Sequence, residues 1–323
     1  LRTWHNPQEN LPVKILMPAQ INADGLLPFL AILGRPLATG EEVVLDFSEL
    51  RRVTPAGLVA LVATVVRWRR EHHPVTIAGL KTCSILGYLQ RMDVFKTCGV
   101  ELQETFQRHE AKGRFVPVRF IDHQIDVMGT DLAGCLAPGG EEYGHAMCDL
   151  YDLSWYVLTE IANNVRQHSR GLGYVSAQVN RTEGFVRLAL ADNGCGILKS
   201  FQNAGFKWSD GMTDAEAICK ALEPTVSSKG SPTNEGVGLT LVAGLVRQTK
   251  GWLMIVSGCG VLQIGNDLKP KAVNLPDGAR YQGTLVVMTF RQQNVRDYAS
   301  LLHAAKTNAG LLQRSGKEVR FLP

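Results

Sequence analysis

The chain lacks most features that would narrow its function at once. Only 20% of its 323 residues are charged, under the usual share of about 25%. Lys plus Arg (34) exceed Asp plus Glu (30) by only 4, too mild a balance to argue for nucleic acid. The basic cluster Arg67-Trp68-Arg69-Arg70 reads as the end of a helix. The longest apolar stretch, Gly57 to Trp68, is well short of the ~20 residues that a membrane-spanning helix needs. The opening residues Leu1-Arg2-Thr3-Trp4-His5 show no signal-peptide pattern. The seven cysteines are odd in number and show neither CxxC spacing nor a Cys/His cluster with zinc-ligand spacing. Reduced thiols and a cytoplasmic location are therefore expected. Repeats and low-complexity tracts are missing as well. With 45% hydrophobic residues, what remains is a globular chain. At roughly 150 residues per domain it suggests about two domains, each able to bury a core without disulfide or metal staples.

Strands and helices alternate over residues 10–105. Strands are expected at 13–17, 42–47 and 75–80, with helices at 24–33 and 82–92. Thr54-Pro55 opens a longer helix, with Thr as the N-cap and Pro at the first helical position, carrying Leu58, Leu61, Val62, Val65 and Val66 to about Arg70. This alternation indicates an α/β layer domain. Residues 106–140 read as a connecting segment that holds one strand candidate, 115–120.

A second unit covers 141–291. It starts with a long helix at 141–168, followed by strands at 173–180 and 185–191. A mixed insert at 198–235 precedes a helix at 237–250. Strands at 252–257, 262–265 and 284–290 close the unit. Helices on one face of a mixed sheet are expected. A terminal amphipathic helix at 293–306 leads into a basic end with Arg296, Lys306, Arg314, Lys317 and Arg320, which reads as a solvated face.

Three segments of the second unit carry chemistry. Glu160, Asn164 and His168 recur at i, i+4 and i+8 and so share one helix face. A carboxamide oxygen is a hard ligand for magnesium, and a carboxylate one turn away can orient or deprotonate a nucleophile. A polar stripe on a surface helix would show the same spacing. Asp192-Asn193-Gly194-Cys195-Gly196-Ile197 follows an apolar strand. A carboxylate at the strand end can accept from an exocyclic amine such as that of adenine, and the glycines let the backbone approach a flat ligand. An ordinary Asn-Gly turn also fits that segment. Asn234-Glu235-Gly236-Val237-Gly238-Leu239-Thr240 opens a helix whose N-terminal N–H groups suit phosphate.

Together these segments resemble the GHKL ATPase domain of gyrases, heat-shock chaperones, histidine kinases and mismatch-repair proteins. The boxes are ExxxNxxxH (Glu160, Asn164, His168), DNGxGI (Asp192 to Ile197) and GxGL (Gly236, Val237, Gly238, Leu239), with Gly283-Thr284 resembling the late adenine-contacting threonine. The resemblance implies ATP and Mg²⁺ as ligands. It implies Asn164 as the Mg²⁺ ligand and Glu160 as the activating carboxylate. Asp192 would read adenine in a pocket shaped by Gly194 and Gly196, and Gly236 and Gly238 would cradle phosphate. The 198–235 insert would be a lid, from which Lys229 could reach the terminal phosphate. A dimerising phosphoacceptor helix of the sensor-kinase type is missing, and His145 lacks its context.

The first unit resembles the STAS fold of anti-anti-sigma factors, through residues 43–48 and 53–58. The position that bears a phosphorylatable Ser or Thr in that family is Ala56, which has no hydroxyl, and Thr54 is better explained as the helix cap. A docking or dimerisation module is expected. The two resemblances imply a regulatory protein in a signalling or partner-switching assembly. It would hydrolyse ATP, pass the terminal phosphoryl group to a protein Ser or Thr, or act as an ATP-gated binding switch without turnover.

Overall fold

A computed structural model describes residues 11–224, 226, 237–265 and 269–312. In the first unit, β1 (Val13–Leu16), β3 (Val43–Asp46) and β5 (Val75–Ala78) form a parallel sheet in the order β1-β3-β5. The crossovers are α1 (Leu26–Leu33) and α2 (Pro55–Arg70). Short strands β2 (Gln20–Ile21) and β4 (Arg52–Val53) pair beside them. The helix expected at 82–92 is shorter, α3 (Leu86–Arg91), and α4 (Val94–Thr97) follows after Asp93, whose φ of 55° interrupts the helical path. Thr54 does occupy the N-cap position of α2. Its hydroxyl, however, donates to Ile21 O at 3.2 Å, so no side chain caps the helix.

Helix α2 explains the apolar stretch at 57–68. It is buried all round from Pro55 to Val65 and again at Trp68, as an all-apolar helix must be. One side meets the elements of the first unit. The other lies on the large sheet of the second unit, against β7 (Gly173–Asn180), β8 (Phe185–Asp192) and β12 (Tyr281–Arg291). Each fully buried Val or Leu side chain there contributes about 1.5–3 kcal/mol by leaving water.

That large sheet has seven strands. Its order is β11 (Pro270–Asn274), β10 (Gly260–Ile264), β9 (Trp252–Gly258), β12, β8, β7 and β6 (Phe115–Phe120). Every neighbouring pair is antiparallel, which corrects the expected mixed sheet. Strands β8 and β9 are joined through helices, the usual route between parallel neighbours, but β12 inserts between them and runs antiparallel to both. The segment at 106–140 is more than a connection: β6 is the edge strand of this sheet, and α5 (Ile125–Leu136) joins its core.

The long helix is shorter than the 141–168 expected. Gly144 sits at φ 79°, outside the helical region, so α6 runs from Cys148 to Asn164. Its buried residues Leu150, Leu153, Val157, Leu158, Ile161 and Ala162 follow the helical period against the sheet. Residues Val165–Ser169 continue as a π-helical turn. The remaining helices are α7 (Ile197–Asn203) and α8 (Asp214–Ala221) within the insert, α9 (Gly238–Gln248), and α10 (Tyr298–Asn308), which starts five residues later than expected. Helices α5, α6, α9 and α10 cover one sheet face, and α2 covers the other. All seven cysteines are free. No described helix is long and apolar enough to cross a membrane.

Candidate functional site

Side chains on a strand alternate between faces. On the α6 face, Leu190 of β8, Val286 of β12 and Ile255 of β9 pair in one register row. This row floors a cavity of about 350 Å³, within the range of ligand sites. The walls come from α6 and its π-helical turn, from the start of α7 and from the N-terminus of α9. Of the residues singled out in the sequence, Glu160, Asn164, His168, Asp192, Gly196, Ile197, Val237, Gly238, Leu239 and Thr284 all line it. Segments separated by more than a hundred residues are therefore brought to one cavity. Lys229 and Gly236, with the remaining residues at 227–236, lie outside the described residues.

Asp192 closes β8 at the edge of the apolar floor and is 2% exposed. Burial pushes its carboxyl up to about 7. The Gly194 N–H, the Thr284 N–H and hydroxyl and the Ser169 hydroxyl pull the other way, by hydrogen bonding to the ionised form. The Gly194 N–H donates to Asp192 Oδ1 at 2.8 Å. A buried carboxylate at the rim of a flat apolar surface can orient an amine-bearing ring.

Another part of the cavity wall joins Glu160 to the N-terminus of α9. A Cβ at position 238 would sit 2.1 Å from Glu160 Oε2, so only glycine lets this carboxylate approach the helix start. Burial raises the Glu160 carboxyl above its ordinary value. Asn164 lies one turn further along α6 and also faces the cavity. His168 stays on that side although α6 has ended. The i→i+5 turn is wider than an α-turn, and such turns recur at functional sites.

Gly194 departs from expectation. It does not line the cavity; its Cα packs on the 169–171 loop, where a Cβ would meet Ser169 O at 2.0 Å. Gly196, at φ 78°, does line it. The sequence reading missed Ser257 and Ser169. Ser257 Oγ accepts from the Ile197 N–H at 2.8 Å and donates to Gly283 O at 3.2 Å, tying the glycine-rich loop to β12. A serine in a strand and a serine after a histidine carry no spacing signal that could have found them. Asn193 is also structural, with Oδ1 accepting from the Leu172 N–H at 2.9 Å.

Among the described residues no group of three or more His, Cys, Asp or Glu side chains could hold a metal by itself. Asn164 and Glu160 supply one amide oxygen and one carboxylate, a donor set that suits a magnesium ion completed by phosphate and water. No family model matches the sequence, and no curated protein matches it.

Proposed function

We propose that the chain binds Mg-ATP in this cavity and either hydrolyses it or passes its terminal phosphoryl group to a partner hydroxyl. The observation that carries this reading is the convergence of residues from all three sequence boxes, and of Thr284, on one cavity with an apolar floor. The resemblance to GHKL ATPases supports it. Adenine would lie on the Leu190–Val286–Ile255 row with its amine toward Asp192. The uncapped start of α9 would face the phosphates. Asn164 would hold Mg²⁺, which when bound neutralises phosphate charge. Glu160, half-buried beside Gly238, would orient and deprotonate the attacking water or partner hydroxyl.

The test is ADP release from Mg-ATP by the wild type beside Glu160→Ala, with nucleotide binding measured on both. Turnover lost in the variant while binding persists supports a catalytic Glu160. Absence of nucleotide binding by the folded wild type refutes the reading. A second reading, an ATP-gated switch with little turnover, is favoured by one contact: Asn193 Nδ2, in the loop beside Asp192, donates to Ala63 O in α2. That contact ties the nucleotide loop to the STAS-like unit, through which a protein partner, or a second copy of the chain, would be engaged. Tight ATP binding without turnover, with partner capture only in the ATP-loaded form, would support it.

A further inference from the structure

The sheet face that carries α2 changes character at one end. Along β8 the residues on this face are Ala191 and Ala189, then Arg187 and Phe185. Along β12 they are Leu285 and Val287, then Thr289 and Arg291. The register aligns the change, pairing Thr289 with both Arg187 and Trp252, and Arg291 with Phe185. The small apolar residues support α2. The basic and aromatic ones begin where α2 begins, and the first unit overhangs them. Asn22, Leu26, Arg52, Thr54 and Pro55 complete a cleft of about 480 Å³.

Four cations line this cleft, Arg52, Arg187, Lys250 and Arg291, against a single carboxylate, Glu183. Glu183 pairs with Arg187 at 3.1 Å. Among the described residues Arg52, Lys250 and Arg291 form no ion pair. The Arg291 guanidinium lies over the Phe185 ring at 4.9 Å and that of Arg187 over the same ring at 5.9 Å. These cation–π contacts hold both groups in place without neutralising them. The sixteen-residue α2 points its N-terminus into the same cleft. Thr54 has turned its hydroxyl away to Ile21 O, so the positive end of the helix is uncapped. Trp252, Leu26 and Pro55 add apolar wall.

We propose that this cleft is a second ligand site, separate from the cavity on the opposite sheet face, and that it takes a phosphate monoester carrying an apolar body. The phosphate lies among Arg52, Lys250, Arg291 and the α2 N-terminus. The body lies along Trp252.

The test is calorimetric titration of the full chain with 1-naphthyl phosphate at low salt. The variants are Arg291→Ala, Lys250→Asn and, as the control in the other cavity, Asp192→Asn. Lys250 is exposed at φ 52°, a conformation asparagine accepts, so the second variant keeps the fold if the first does not. The wild type binds the probe, and each cleft variant weakens it about tenfold, the effect of losing one charge-assisted contact. Asp192→Asn binds as the wild type does. Neutral 1-naphthol does not bind, and 1-naphthoate, with less charge, binds more weakly. The proposal is overturned if the wild type shows no binding at about 1 mM probe. It is also overturned if folded Lys250→Asn binds like the wild type, if Asp192→Asn alone abolishes binding, or if naphthol or naphthoate binds equally well.

Discussion

Asn193 Nδ2 donates to the backbone carbonyl of Ala63 across 3.1 Å, joining two residues 130 positions apart. The donor belongs to the loop that follows Asp192, and the acceptor lies in the middle of α2. The rest of Asn193 is also engaged, with Oδ1 accepting from the Leu172 N–H and its own N–H donating to Leu172 O. One 8%-exposed side chain thus fixes the loop after β8, the turn before β7 and the first unit together.

Asn193→Ala strands the Leu172 N–H and removes the tie to α2. Leaving buried polar groups unpaired costs about 1–3 kcal/mol. Urea unfolding should show that loss, and nucleotide affinity should fall with it because the loop carrying Asp192 and Gly196 is released. Unchanged affinity would separate the loop from its anchor.

The buried Asp192 makes the protein pH-sensitive. Its carboxyl titrates near about 7 in the fold, against about 3.9 when unfolded. Between those values the folded state holds the extra proton. The contribution of this group to stability is therefore complete below about pH 4 and is lost as pH rises through about 7. Ring binding has the opposite sign, because an amine donor favours the ionised carboxylate. Adenosine, which has no phosphate to titrate, should bind more tightly as pH rises from 5.5 to 8. Asp192→Asn should flatten that profile, and a profile that persists in the variant would assign it to another group.

Gly238→Ala places a methyl group 2.1 Å from Glu160 Oε2, far inside van der Waals contact. The carboxylate, the far end of a flexible side chain, must swing away from the helix start. Turnover should fall by tenfold or more, since misplacement by about 1 Å can cost a hundredfold. Thermal stability should change little, because the clash is with a half-buried side chain at a cavity wall. Wild-type turnover in this variant would argue against a catalytic Glu160.

The two sheets share α2, so heat should unfold them in one cooperative transition. Leu58→Ala, at a fully buried position, should cost about 2–5 kcal/mol and shift that single transition as a whole. Two separated transitions, only one of them shifted, would show that the units unfold independently.

Much of the fold could be read along the chain. The Thr54-Pro55 start and the apolar run behind it place α2 correctly to Arg70, and the strands expected at 173–180, 185–191 and 284–290 match β7, β8 and the core of β12, because these signals are local. The three site boxes were also readable, since each consists of residue types at short fixed spacings. Where local signals compete, the reading slipped. The sequence predicts a helix from residue 141, while Gly144 in left-handed backbone delays the start of α6 to Cys148.

Other properties depend on contacts distant in sequence. The all-antiparallel sheet follows from β12 inserting between β8 and β9, and strand order leaves no mark on any one strand. Gly194 looks like a pocket glycine until Ser169 O is found against it. The serines that secure the glycine-rich loop matter only through their partners. The apolar run of α2 establishes by itself that the helix is buried. That it is buried against a second sheet, with a cationic cleft at its open end, was decided by tertiary packing, because only packing brings residues 52, 187, 250 and 291 together.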